Sequence, residues 1–430
     1  MDNREPSERE LVCDILMAAA KGVFLTKAVS DVCDKYVYLE KKKRSFIKRE
    51  ASGIYEKRIF LDAVIGRVSN TPVKKLKPLI LAVLRIGIYE MFFMDRIPVH
   101  ATIDEAVNLV KKRGLKSLSG YVNAVLRNAD RSRGDIMAEL SDNRETQYSV
   151  PEWILKLWDE SYGEDVTKAM CEALLVPAKC AVRTSTSNLT SDELLEHFKK
   201  EGVKATPIEG TRSGFFIEGF DHLSALESFN NGLFYVQDKA SQMVVELAQI
   251  EKGNVILDVC AAPGGKAIHA AEKAGDRGCV IACDISEEKL DHIAENAERM
   301  QVFNIDTRLW DAREHDEDFD GEMDVVIADL PCSGLGVLRK KPDIRYRVKP
   351  EDIDELALLQ QQILDNIASY VKPGGKLVFS TCTVNKKEND GNVMTFLEKH
   401  GDFELVSSRQ LFITEDNDGF FMALFKKKNS

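Results

Sequence analysis

Two cysteines in this chain stand where a thiol can act as a nucleophile. One lies in Asp329-Leu330-Pro331-Cys332-Ser333-Gly334 and the other in Ser380-Thr381-Cys382-Thr383, each directly after an apolar run. A thiol at a strand end, facing a cleft near lysine or a helix N-terminus, can form a thiolate and attack carbon. A third apolar run ends in Asp258-Val259-Cys260 and continues as Ala261-Ala262-Pro263-Gly264-Gly265-Lys266. Such small residues let the backbone approach a ligand, and the helix that follows offers free amides. This is no Walker A loop: position 260 would have to be Gly and position 267 Ser or Thr, and they are Cys260 and Ala267. Asp284 ends the next run, roughly 20 residues past the glycines, which suits a carboxylate that accepts from ribose hydroxyls. Asp311 follows a further run and could serve the base end of the same ligand, although its loop continues acidic through Asp316–Asp320. These positions describe a nucleoside-binding cleft with two thiols on its rim. Spacing does not order the two thiols, and Cys260, Cys279 and Cys283 read as buried and inert.

The elements that must hold these residues can be read from periodicity. Residues 250–430 alternate: strands at Val255–Cys260, Cys279–Asp284, Asn304–Leu309, Met323–Asp329 and Lys376–Thr381, separated by amphipathic helices, with two closing strands at Phe403–Ser407 and Gly419–Phe425. That order predicts a doubly wound, mostly parallel sheet, whose ligands bind beyond the carboxyl ends of the strands. Pro373-Gly374-Gly375 reads as the turn into Lys376–Thr381. Residues 141–245 predict a small α+β module, with strands at Ala181–Thr184 and Gly214–Glu218 around a helix near Asp192–Lys200. Residues 1–140 read as an all-α bundle. Within it Thr102 and Glu105 have capping-box spacing and would open a helix running to about Lys111. The expected domains are therefore 1–140, 141–245 and 246–430.

Composition bounds the partners. The chain has 430 residues and a formal net charge of −11, with 44% apolar and 30% charged residues, ordinary values for a globular protein. The mean hides an asymmetry: residues 1–140 carry 26 Lys+Arg against 18 Asp+Glu, a net of +8, and the remainder carries −19. A basic segment beside an acidic one suits a nucleic-acid-facing module. Nine cysteines show neither a disulfide framework nor zinc spacing, which points to a reduced, cytoplasmic chain without a metal. The most apolar stretch, Leu79–Met94, is too short to span a bilayer and reads as a buried helix. The mixed-charge opening, residues 1–10, does not look like a signal peptide.

The three motifs DVCAAPGGK (258–266), DLPCSGLG (329–336) and STCT (380–383) resemble the RNA cytosine-5 methyltransferases that use S-adenosyl-L-methionine. Ile97–Asn128 looks like their NusB-like RNA-binding helical domain, and Tyr148–Trp153 with Val236–Gln242 (VQDKASQ) resembles their linker module. The order of the three regions is similar to the bacterial RsmB-type 16S ribosomal RNA methyltransferases. The resemblance implies a Rossmann-like class I methyltransferase domain. It also implies Cys382 as the nucleophile at cytosine C6, Cys332 as the residue assisting release, and Asp329 at the cytosine edge and the cofactor pocket. By the same resemblance Cys260, Ala261, Ala262, Pro263, Gly264, Gly265, Lys266, Asp284 and Asp311 bind the cofactor. The implied partner is 16S ribosomal RNA, free or in early small-subunit assembly, with no membrane. Two features depart from the pattern: Ala267 replaces a common Thr or Ser, and residues 28–60 match loosely. Phosphates would meet Lys41–Arg44, Lys111, Lys112, Arg113 and Lys116, and the run Arg339, Lys340, Lys341, Arg345, Arg347 and Lys349. A transfer-RNA substrate keeps the same chemistry. A non-catalytic RNA-binding factor would have no use for the intact thiol pair.

Overall fold

The computed structural model describes residues 5–429, so residues 1–4 of the mixed-charge opening lie outside the described residues. The chain forms two compact units. One comprises the chain through Glu160 together with Leu338–Arg347; the other comprises Ser161–Val337 and the chain from Val348 onward.

The first unit is helical. Its opening helix, Glu8–Ala20, starts at a capping box between Ser7 and Glu10. Helix Pro78–Phe93 is the apolar stretch singled out in the sequence, and Ile80, Val83, Leu84 and Ile88 bury it in the core. Among the described residues no helix is long and apolar enough to cross a membrane. Thr102 does not cap a helix as its spacing predicts. The helix runs Val99–Lys112, three residues earlier, and the Thr102 hydroxyl instead donates to buried Glu90 at 2.6 Å. Arg9 Nε donates to the same carboxylate at 2.6 Å. Arg9 serves one oxygen of Glu90 and Thr102 the other, and a buried polar atom left without a donor costs more than a cap contributes.

The segment 338–347 corrects the reading of the basic run as a row of cations for phosphates. It packs into the helical unit. Arg345 is 2% exposed, and its guanidinium donates to the Ser149 carbonyl at 2.9 Å and the Leu338 carbonyl at 3.2 Å. Arg347 pairs with Asp343 at 3.1 Å and donates to the Gly22 carbonyl at 3.0 Å. The Tyr346 hydroxyl donates to the Tyr55 carbonyl at 2.8 Å. Several of these side chains complete a core rather than face solvent. Part of the other basic stretch is also engaged: Lys112 pairs with Glu10 at 2.8 Å and Arg113 with Asp14 at 2.7 Å.

The second unit holds two sheets. Strands β1 (Cys180–Thr184), β2 (Lys204–Pro207), β3 (Gly214–Glu218) and β4 (Phe234–Val236) form an antiparallel sheet in the order β2-β3-β1-β4. Helix Ser191–Lys200 packs on it, and Val182, Phe198, Phe215 and Phe234 form its core. Strands β2 and β4 are too short for their periodicity to show in the sequence. The larger sheet comprises β5 (Val255–Asp258), β6 (Cys279–Asp284), β7 (Ile305–Leu309), β8 (Met323–Asp329), β9 (Val371–Thr381), β10 (Phe403–Leu411) and β11 (Phe420–Lys427). Its order is β10-β11-β9-β8-β5-β6-β7, parallel from β9 to β7 and antiparallel at β10 and β11. The chain winds outward from β5 in one direction and then returns to build β8 and β9 on its other side. The β5–β8 boundary is thus the switch point where crossover loops part and leave a crevice. Pro373-Gly374-Gly375 is not a turn before a strand. It is an irregularity inside the continuous strand β9, where Met323 pairs with Val371 and Val325 with Lys376.

Candidate functional site: a thiol pair at the switch point

The turn after β5 carries the glycines. Gly264 has φ +98 and caps helix Gly265–Ala274; a Cβ there would meet Ile293 at 3.2 Å. Glycine suits the left-handed backbone, and a side chain there would also crowd Ile293. Two residues outside the motif hold the turn: the Tyr235 hydroxyl donates to the Pro263 carbonyl at 3.0 Å, and Gln237 Nε2 donates to the Gly265 carbonyl at 3.0 Å. Gln237 is itself fixed by Arg183 Nε at 2.9 Å, and Arg183 forms a fully buried ion pair with Glu272. The VQDKASQ segment therefore braces the turn, which its pattern did not reveal.

A cavity of about 510 Å³ opens at the switch point. Cys260, Asp284, Asp311, Asp329, Cys332 and Cys382 all line it. The structure thus brings together the cysteines and acids that the sequence singled out. Asp284 accepts from Lys289 at 3.2 Å. Asp311 is held by a bidentate Arg313 guanidinium, whose hydrogen bonds keep its carboxyl below the ordinary range. Arg313 and Lys289 had no motif to mark them.

Asp329 ends β8 and is clamped on both oxygens, by Lys266 Nζ at 2.5 Å and by Ser380 Oγ at 2.8 Å. Burial pushes the Lys266 ammonium down, but Asp329 and Asp258 outweigh it and hold it above the usual lysine value. Asp258 is fully buried. Neither of its oxygens has a donor in ordinary hydrogen-bond geometry, although the Cys260 amide approaches. Burial first, opposed by Lys266 and reinforced by Asp329, pushes its carboxyl up to about 7.

Strands β8 and β9 are parallel neighbours, and the loops beyond them place Cys332 Sγ 3.3 Å from Cys382 Sγ. The contact with Cys382, then burial, hold the Cys332 thiol well above the ordinary cysteine value, so it keeps its proton. Of the three cysteines expected to be buried and inert, only Cys283 is buried, with its thiol pushed up to about 12; Cys260 lines the cavity and Cys279 is half-buried, though burial raises both. Among the described residues no group of His, Cys, Asp and Glu has the arrangement of a metal site.

A doubly wound sheet with a crevice at its switch point, in a chain that also holds a small antiparallel module and a helical unit, has a methyltransferase-type architecture. Comparison with known proteins supports that class. Residues 245–426 match the family described as 16S rRNA methyltransferase RsmB/F, residues 6–131 the NusB family, and residues 150–221 the ferredoxin-like domain of RsmF/B-like methyltransferases. The "Probable ribosomal RNA small subunit methyltransferase B" of Bacillus subtilis is 32% identical, over 97% of this chain and 99% of its own. The "Ribosomal RNA small subunit methyltransferase B" of Vibrio cholerae is 33% identical, over 86% of each. A methyltransferase homolog from Pyrococcus horikoshii shares the fold over 66% of this chain and 97% of its own, with a TM-score of 0.59 at 24% identity. The chain belongs to the 16S rRNA methyltransferase RsmB/F family.

Proposed function

We propose that this protein methylates C5 of a cytosine in 16S ribosomal RNA, in the cytoplasm, using S-adenosyl-L-methionine and a covalent bond from Cys382 to cytosine C6. The single observation that carries the reading is the 3.3 Å pair of Cys332 and Cys382 on the wall of a cavity that Cys260, Ala262 and Asp284 also line. A cofactor-only methyltransferase has no need of paired thiols there.

The residues present fit the cofactor. The cavity of about 510 Å³ lies in the range of small-molecule sites. Gly264 holds a left-handed backbone at φ +98, the first turn of helix Gly265–Ala274 has N–H groups without intrahelical partners, and Asp284 can accept from ribose hydroxyls. When bound, S-adenosylmethionine supplies an electrophilic methyl group to C5.

The protein's own part is to make C5 able to accept it. Cytosine C5 is a poor nucleophile. Addition of the Cys382 thiolate at C6 breaks the aromatic ring and makes C5 enamine-like, dividing one difficult step into easier ones. Lys266, held on Asp329, supplies a buried positive charge within the same site. Asp329, fixed by Lys266 and Ser380, can accept a hydrogen bond from the cytosine amine edge. After methylation the C5 proton leaves to a base and the Cys382–C6 bond breaks. Cys332 Sγ lies 3.3 Å from the departing sulfur, within reach to assist release, and the order of the two roles is the one that the resemblance implies. The base must leave its stack or lie in a loop to be reached.

Denaturing gels of protein incubated with cofactor and RNA test the assignment. Cys332→Ala should accumulate a protein–RNA adduct, and Cys382→Ala should form none while still binding cofactor. An adduct in Cys382→Ala would reverse the two roles.

A further inference from the structure

The residues on either side of both thiols end on one buried polar cluster. It is built from Gln360, on helix Pro350–Ile367, and from Asn385, Glu388, Asn389 and Asn392 beyond β9, all 0% exposed. Glu388 accepts from the Ser333 amide at 2.9 Å, from Ser333 Oγ at 2.5 Å, from Gln360 Nε2 at 3.0 Å, and from the Asn385 amide group. The same Gln360 nitrogen donates to the Pro331 carbonyl at 2.8 Å. Pro331 and Ser333 flank Cys332, so both sides of that residue are anchored. On the other loop, Thr381 Oγ1 donates to Asn389 Oδ1 at 2.6 Å, and Asn389 Nδ2 donates to the Thr383 carbonyl at 3.2 Å. Thr381 and Thr383 flank Cys382. The two loops are joined where Ser333 Oγ meets Thr383 Oγ1 at 2.7 Å.

The hydrogen-bond directions follow from the inventory of donors. A carboxylate only accepts, so Ser333 spends its one hydroxyl proton on Glu388 and Thr383 must donate to Ser333. The chain Thr383 to Ser333 to Glu388 therefore has one polarity, terminated by the negative charge. The four donors to Glu388 are all neutral groups. Burying a carboxylate on neutral donors alone is costly, and apolar packing could close two loops more cheaply. What a fully satisfied charged cluster adds is a single rigid geometry.

We propose that Glu388 is a positioning residue for the methyl transfer, locking the Cys332 loop against the Cys382 loop so that the release thiol stays beside the nucleophile. The inference rests on the cytosine-C5 reading above. It predicts that loosening the lock harms release more than attack, because Cys382 keeps its Asn389 anchor while Cys332 loses the acceptor that holds Ser333.

The test is Glu388→Gln in the full chain. This change preserves volume but replaces one carboxylate oxygen, which accepts from two donors, by an NH2 group that faces both. Three quantities are read: multiple-turnover methyl incorporation, the denaturation-resistant adduct on gels, and cofactor affinity by calorimetry. Turnover should fall about tenfold to a hundredfold, as expected for displacement of a reacting group by a fraction of an ångström to an ångström. Adduct should accumulate as in Cys332→Ala, with cofactor affinity unchanged within about twofold. Wild-type turnover without adduct would overturn the proposal, and so would joint loss of cofactor binding and adduct, which marks a merely structural role. Should Glu388→Gln not fold, Ser333→Ala removes one link and leaves the carboxylate three donors. It should show the same adduct at a smaller loss of turnover, and its absence would again overturn the proposal. Failure of the underlying reading looks different: wild-type protein would yield no 5-methylcytosine, and Cys332→Ala would yield no adduct.

Discussion

Asp258 shows how the site's chemistry constrains its stability. Its carboxyl is pushed up to about 7, so the folded protein holds a proton there that the unfolded chain releases near the ordinary carboxyl value. Stability from this group is present at low pH and is lost as pH rises through about 7, at a slope approaching 1.4 kcal/mol per pH unit. Asp258→Asn should flatten that stretch of the stability–pH curve, measured by denaturant titration from acid to neutral pH. An unchanged slope would mean that Asp258 is solvated in solution. Cys382→Ala should lower methyl transfer by at least about a thousandfold, the scale seen when a nucleophile is removed. At this scale the sequence was informative where a residue sits in a motif, as with Cys332, Cys382 and Lys266. It was silent on Glu388 and Asn385, because NKKEND (385–390) reads as a solvated turn and nothing local marks a buried carboxylate.

At the scale of elements, the parallel strands were legible because strands covered on both faces become continuous apolar runs, as in Met323–Asp329. Adjacency of β8 and β9, and so the meeting of two cysteines 50 residues apart, followed from the alternation of strands and helices. Thr102 was misread because capping-box spacing also occurs inside a helix when the hydroxyl has a buried partner, here Glu90. Strand β9 was read short because Pro373-Gly374-Gly375 marks an irregularity as readily as a turn. The loop carrying Cys332 depends on a close backbone approach. A Cβ on Gly336 would lie 1.9 Å from the Gly419 carbonyl oxygen. Gly336→Ala should therefore cost about 2 kcal/mol or more, within the usual range for overpacking, and shift the denaturation midpoint. A stability equal to wild type would mean that the loop after β8 moves freely.

Over the whole molecule, net charge was a poor guide and its distribution a partial one. The excess of +8 in residues 1–140 is real, yet Lys112 and Arg113 are ion-paired. The run at 339–349 has given Arg345 and Arg347 to the helical unit's packing. Sequence shows charge but not burial, and a segment from late in the chain that completes an early core leaves no local signature. Arg345→Ala should lower the stability of the helical unit by about 2–3 kcal/mol, because charge-assisted hydrogen bonds to buried carbonyls are lost. Faster amide exchange around Ser149 would register it. RNA affinity should fall as salt rises, and Lys42→Gln should make that dependence shallower by about 0.7 in log–log slope if Lys42 meets one single-stranded phosphate. A salt-independent affinity would argue against phosphate docking. The most direct test of the account is to map 5-methylcytosine in total RNA from cells with the gene, without it, and with only Cys382→Ala. One 16S position should be modified with the wild-type gene and unmodified in the other two. A 16S methylation pattern indifferent to the gene, or one fully restored by Cys382→Ala, would contradict it.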